Sequence, residues 1–206
     1  MTTAARSDAR PYHHGALRAS LLARAAEVVA EQGLEALTLR GLARDLGVSH
    51  GAPNRHFRTR EDLLAALAEE AATQACEATL SAMAEVGDDP WVRLNAMGRG
   101  YLKWALENRP LFRVFTHPDV SRFADESLVA RMQELDSLVA ETVRETQATG
   151  RHPQVHPELL NLYTTAVPWG IAMIVDHPGY EASRLNMDID EAVAQLIELV
   201  VPIAGR

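Results

Sequence analysis

Arg40 to Phe57 reads RGLARDLGVSHGAPNRHF and sets Arg40, Arg44, His50, Arg55 and His56 against a single carboxylate, Asp45. Guanidinium groups are permanent cations whose planar fork matches phosphate oxygens, so such a cluster is suited to holding a polyanion. Spacing gives the chemistry a direction. Arg40 and Arg44 stand four residues apart and share one side of a helix. Ser49, His50, Gly51, Asn54 and Arg55 gather at the start of a further helical stretch, where free N–H groups attract phosphate. Gly51 has no side chain to hold a surface away from the backbone. Asn54 carries the donor and acceptor needed to bond adenine N6 and N7 together.

These residues need two short helices held rigidly against each other. Thr38 is placed to cap the stretch LRGLARDLG, with Leu39, Leu42, Ala43 and Leu46 facing inward, and Gly47 supplies a positive φ for the turn. Ser49 opens a third helix reaching about Phe57. Helices this short do not stand alone, because nucleation costs more than so few turns return. Leu42, Ala43, Val48, Ala52 and Phe57 are therefore expected to clamp them together and to a first helix. That first helix presents Leu17, Leu21, Leu22, Ala25, Ala26 and Val29 on one stripe and stops at Gly33. The layout is a helix-turn-helix whose third helix is sized for a DNA major groove.

The remaining chain is helical almost end to end, and strand alternation is scarce. Thr59 and Asp62 form a capping box with the shorter acid, opening a fourth helix to about Val86. Asp89 and Pro90 open a fifth helix ending near Asn108. A short helical piece lies between Pro110 and Pro118. Ser121 opens a long helix ending near Gly150, and Pro157 opens one reaching about Val175. Inside that helix, Pro168 and Gly170 predict a bend or opening near Trp169. A final helix begins at Asp188. The expected fold is all-α with about nine helices, in two domains: residues 1–58 as an arm and helix-turn-helix, and residues 59–206 as a C-terminal body.

Charge divides the same way. Residues 1–60 hold nine arginines against two aspartates and three glutamates, a net of +4 in a chain whose total is −8. A basic first quarter on an acidic body indicates one polyanion-binding module. A helical protein whose basic module binds an acidic partner protein is the alternative; salt weakens both complexes, whereas only the DNA reading gives sequence-specific protection of a palindromic site.

The run from Pro11 to Ala68 resembles the N-terminal domain of TetR-family transcriptional regulators. The resemblance is carried most specifically by YHHG.LR, by A..V..EQGLEALTLR.LAR.LGVS.GA and by RHF.T.E.LL. It implies a homodimer whose third helices read adjacent major grooves of a palindromic operator. It also implies repression relieved by a small effector bound in the variable C-terminal domain. By position, Arg40 and Arg44 resemble the family's second-helix contacts, and Ser49, Gly51, Asn54 and His56 those of its recognition helix. Arg60 stands where the family usually places a phosphate-binding lysine. Asn54 departs from the family, where an aromatic is common.

In the C-terminal body, Met97, Tyr101, Trp104, Phe112, Phe115, Met132, Trp169 and Met173 are candidate pocket residues, since apolar and aromatic side chains line ligand cavities. Leu159, Tyr163, Val167 and Ile174, with Val193, Leu196, Ile197 and Val200 on the last helix, exceed what one core-facing stripe buries. The surplus predicts a four-helix dimer interface across a two-fold axis.

Other chemistries find little support. The sequence has no Gly-rich phosphate loop, no G-x-S-x-G and no HExxH, so no enzyme and no cofactor are expected. His13 and His14 on the arm and His50 and His56 do not have metal-ligand spacing, so no metal is expected; an arm with Arg6 and Arg10 is suited to reaching DNA. One cysteine, Cys76, excludes an internal disulfide and fits a reducing cytoplasm. The start has no secretory apolar segment, and the longest apolar run, Ala166 to Val175, is shorter than the ~20 residues of a membrane span. A soluble cytoplasmic protein without a membrane partner is expected.

Overall fold

The computed structural model describes residues 14–117 and 126–177, together with Glu191 and Gln195. Among the described residues, seven α-helices have defined bounds: α1 (His14–Gln32), α2 (Leu39–Asp45), α3 (Arg60–Ala84), α4 (Pro90–Glu107), α5 (Arg109–Thr116), α6 (Glu126–Ala148) and α7 (Pro157–Asp176). Two 3-10 turns, Leu34–Ala36 and Pro53–Arg55, interrupt the N-terminal part. No strand occurs among the described residues. The fold is all-α, as expected.

The helix count differs from about nine for two reasons. The third expected helix is a 3-10 turn, and most of the last, with its opening at Asp188, lies outside the described residues. So does Ser121, the expected start of α6. The chain divides into two compact units, Met1–Leu63 and Leu64–Arg206, the division falling inside the first turn of α3.

In the N-terminal unit, Leu17, Leu21, Leu22, Ala25, Val28 and Val29 of α1 are buried, as are Leu37, Leu42, Ala43, Phe57 and Leu63. Arg24 ties α1 to the end of α2, its Nε donating to Asp45 Oδ2 at 3.1 Å. That hydrogen bond holds the Asp45 carboxyl below its ordinary range.

In the C-terminal unit α4 is the central helix, packed against α5, α6 and α7. Leu102, Trp104 and Ala105 of α4 share a core with Ala71 and Ala75 of α3, Phe112 of α5, and Ala172 and Val175 of α7. A second core joins Leu94, Val143 and Leu160. Gly100 lets α3 and α4 approach: a Cβ there would meet the Ala78 carbonyl oxygen and lie 2.7 Å from Ala82 Cβ.

Of the expected bend or opening near Trp169, the opening does not occur: α7 is helical from Pro157 to Asp176 with Pro168 inside it. The proline is buried on the inner face of α7, and its ring faces α4 at Gly98, where an added Cβ would lie 3.9 Å from Pro168 Cγ. Packing therefore holds the helix together where its own hydrogen bonding is interrupted. By length and composition α7 is also apolar enough to cross a bilayer, with a mean hydropathy of 1.2, although no single uninterrupted run in the sequence is that long.

Candidate functional site

The helix-turn-helix is built by local capping. Thr38 Oγ1 accepts from Gly41 N at 3.0 Å and opens α2. At the other end Gly47 adopts φ 65°, and Val48 N donates back to the Ala43 carbonyl at 3.0 Å, which closes the turn. The chain then makes tight turns instead of an α-helix. Pro53 has no N–H to give the Ser49 carbonyl, which takes Ala52 N at 2.9 Å. Each such bond spans three residues where an α-helical bond spans four, so the segment winds as a 3-10 turn from Pro53 to Arg55. Buried Pro53 and Phe57 pin it to the unit's core. The Thr59–Asp62 capping box follows, with Asp62 N donating to Thr59 Oγ1 and Thr59 N to Asp62 Oδ2, each at 3.1 Å.

Pinning these residues inward turns their neighbours outward. Arg40, Arg44, Ser49, His50, Gly51, Asn54 and Arg55 are all exposed, and His56 is half-buried beside Phe57. A groove lined by Thr38, Arg40, His50, Asn54, Arg58 and Arg60 brings the basic side chains of α2, the turn and α3 together. Arg44 lies on the other side of Arg40, in a second groove that also contains His50 and Asp45. Ser49, Gly51, Arg55 and His56 line neither groove. Arg58 was missed in the sequence; its signal was position, between Phe57 and a capping box that fixes the backbone beside it. Arg60 is only half exposed: its Nε donates to the Leu37 carbonyl at 3.0 Å and its Nη2 to the Leu34 carbonyl at 2.7 Å. It ties the start of α3 to the turn that leads into α2.

The family model for bacterial regulatory proteins of the tetR family matches residues 21–67, from α1 through the helix-turn-helix into α3. The chain belongs to the tetR family. Two solved structures from Rhodococcus RHA1 share the fold of this tetR-family chain. One is a protein with unknown function, 31% identical, with a TM-score of 0.76 over 96% of this chain and 100% of that one. The other is a bacterial regulatory protein in the tetR family, 24% identical, with a TM-score of 0.74 over 92% of this chain and 97% of that one. AibR, solved in complex with isovaleryl coenzyme A and operator DNA, is 17% identical, with a TM-score of 0.71 over 91% and 97% of the two chains. No curated protein sequence matches the chain. The protein is a tetR-family transcriptional regulator with a helix-turn-helix DNA-binding unit.

The C-terminal unit of this tetR-family regulator holds a cavity of about 280 Å³, close to the lower end of the ~300–1,000 Å³ usual for ligand sites. Of the residues expected at a pocket, Met97 and Tyr101 of α4, Phe115 of α5, Met132 of α6 and Trp169 of α7 line it. Three other expected residues do not. Trp104 and Phe112 are buried in the core behind the cavity. At about 100° per residue Trp104 falls within about 20° of Met97 on α4 but two turns further along the helix, so its position along the axis takes it past the cavity. Its indole Nε1 donates to Gln74 Oε1 at 3.4 Å, and its ring packs against both Tyr101 and Phe115. Trp104 thus braces the wall. Met173 is exposed one turn beyond Trp169 on α7, outside the lining.

The sequence reading also missed the polar lining, Thr79, Asp136, Thr164 and Thr165. For Asp136 a signal existed. Met132, Leu135 and Val139 repeat at helical spacing on α6, and Asp136 falls within that stripe. On α7, Leu160, Pro168, Ala172 and Val175 face the core, while Leu159, Leu162, Tyr163, Met173 and Ile174 form an exposed apolar stripe on the other side. Val167 is half-buried at its border. Val193, Leu196, Ile197 and Val200 lie outside the described residues.

Proposed function

We propose that this regulator is a sequence-specific repressor that binds a palindromic operator as a homodimer and leaves it when a small, mainly apolar effector binds. The observation that carries the DNA reading is the exposed basic face from Arg40 to Asn54, held rigid by capped, buried elements behind it. Arg40, Arg44, Ser49, His50, Gly51, Asn54, Arg55 and His56 contact DNA in this reading, with Arg60 supporting them from the start of α3. The cavity is the effector site. In AibR a similar fold carries an acyl-coenzyme A and operator DNA in one structure, which supports assigning both kinds of partner to this architecture.

Residues 1–58 serve DNA and residues 59–206 serve effector and dimer. Helix α3 carries both Arg60 and the cavity residues Ala75 and Thr79, so one helix supplies residues to both functions. An effector acts through it only by binding the released and DNA-bound shapes with different affinity. The exposed stripe of α7 is covered by a second copy rather than by lipid, and the protein works in the cytoplasm without a catalytic role. The test is selection of bound sites from random duplex DNA, followed by a screen for compounds that dissociate the best site. Release at an unchanged compound concentration in Trp169→Ala, with DNA affinity intact, would move the effector site elsewhere.

A further inference from the structure

The polar groups of the cavity fix the kind of molecule it accepts. Two of its threonines are already engaged with their own helices: Thr79 Oγ1 donates to the Ala75 carbonyl and Thr164 Oγ1 to the Asn161 carbonyl. The Tyr101 hydroxyl has no hydrogen-bond partner among the described residues, and burial pushes its pKa up, so it stays neutral. Asp136 is exposed, lines the same cavity and has no ion-pair partner among the described residues. Pro168 cannot give the Thr164 carbonyl its helical N–H, and both residues belong to the lining. The hydroxyls of Tyr101 and Thr165 can each donate or accept, and the one charged group of the lining is the Asp136 carboxylate. No Lys, Arg or His is part of the lining among the described residues. Tyr101, Phe115 and Trp169 add three aromatic rings, whose faces attract cations.

We propose that the cavity selects apolar amines, with the ring system of the ligand buried among Met97, Phe115 and Met132 and its ammonium group held by Asp136 beside Trp169. The proposal rests on the reading of this cavity as the effector site and names the effector's class. A carboxylate or phosphate would meet Asp136 with like charge and find no cation to offset its loss of water. An acyl-coenzyme A of the kind bound by AibR is accordingly the wrong class for this lining.

Calorimetric titration of the full chain with three matched probes tests this: 2-(1-naphthyl)ethylamine, 2-(1-naphthyl)ethanol and 1-naphthylacetate. The expected order is amine, then alcohol, then carboxylate, with the amine about tenfold or more tighter than the carboxylate. Asp136→Asn, an exposed change outside any core contact, should weaken the amine about fivefold, in the range of a partly exposed ion pair. The same change should leave the alcohol within about twofold. Carboxylate binding as tight as the amine, an amine affinity unmoved by Asp136→Asn, or no amine binding up to its solubility limit would each overturn the proposal. Release of the selected DNA site is measured separately with the amine. Asp136-dependent amine binding that leaves the DNA complex intact would uphold the selectivity of the cavity and refute its role as effector site.

Discussion

Arg40 and Arg60 line one groove but are held differently, and their substitutions should separate accordingly. Arg40 is exposed and makes no ion pair among the described residues, so Arg40→Ala should leave urea stability within ~0.5 kcal/mol of wild type. If it neutralises one phosphate, the salt dependence of DNA binding should flatten by about one unit of slope. Arg60→Ala breaks two charge-assisted hydrogen bonds at a half-exposed position and should cost ~1–2 kcal/mol in urea denaturation, with DNA affinity falling alongside. Arg60→Ala at wild-type stability would remove the clamp. Gly51 is a second separable case. Nothing lies within 4 Å of a Cβ added there, so Gly51→Leu should fold normally by circular dichroism and lose operator binding. Unimpaired binding would place Gly51 away from the DNA. The basic residues were legible in the sequence because a helical spacing of four aligns Arg40 with Arg44. The clamp was not, since Arg60 bonds carbonyls 23 and 26 residues away.

Capping decides the elements, and caps are local enough to be read from sequence. Thr38, the Thr59–Asp62 pair and Asp89 all act where the residue types put them, Asp89 Oδ1 accepting from Trp91 N at 2.8 Å. The third helix was less legible because its length hangs on one missing donor, the N–H that Pro53 lacks, weighed against the burial of the proline ring. Asp136 was legible only in part: its place in the apolar stripe of α6 sets it on an inward face, but the cavity it lines is the space left between α3, α4, α5, α6 and α7. Helix approach can still be tested by one methyl group. Gly100→Ala would drive its Cβ into the Ala78 carbonyl and Ala82 Cβ, so α3 and α4 must part. The expected loss is ~1–3 kcal/mol, the usual range for overpacking a close contact. A melting temperature within about 1 °C of wild type would contradict the close crossing, since each 1 kcal/mol shifts a domain of this size by ~2–4 °C.

At the scale of the whole molecule the exposed apolar stripe of α7 calls for a partner. Leu159 and Ile174 are 61% and 60% exposed, so changing them does not disturb the protomer's core. Leu159→Glu combined with Ile174→Glu should convert a dimer to a folded monomer in sedimentation velocity, at wild-type helicity, and operator affinity should fall with the loss of the second reading head. A wild-type protein that sediments as a monomer would contradict the interface. The charge balance points the same way, because a basic first quarter on a body of net −12 leaves one face of each protomer for DNA. Two such faces require two half-sites, separated by one helical turn of ~34–36 Å or a multiple of it. The most direct measurement is a hydroxyl-radical footprint on the site selected from random DNA, made with wild type and with Asn54→Ala. Sequence-specific binding by a two-fold dimer predicts symmetric protected half-sites on one face of the duplex for wild type, and relaxed discrimination at one base pair per half-site for Asn54→Ala. Uniform protection of selected and unselected DNA by the wild-type protein would contradict it.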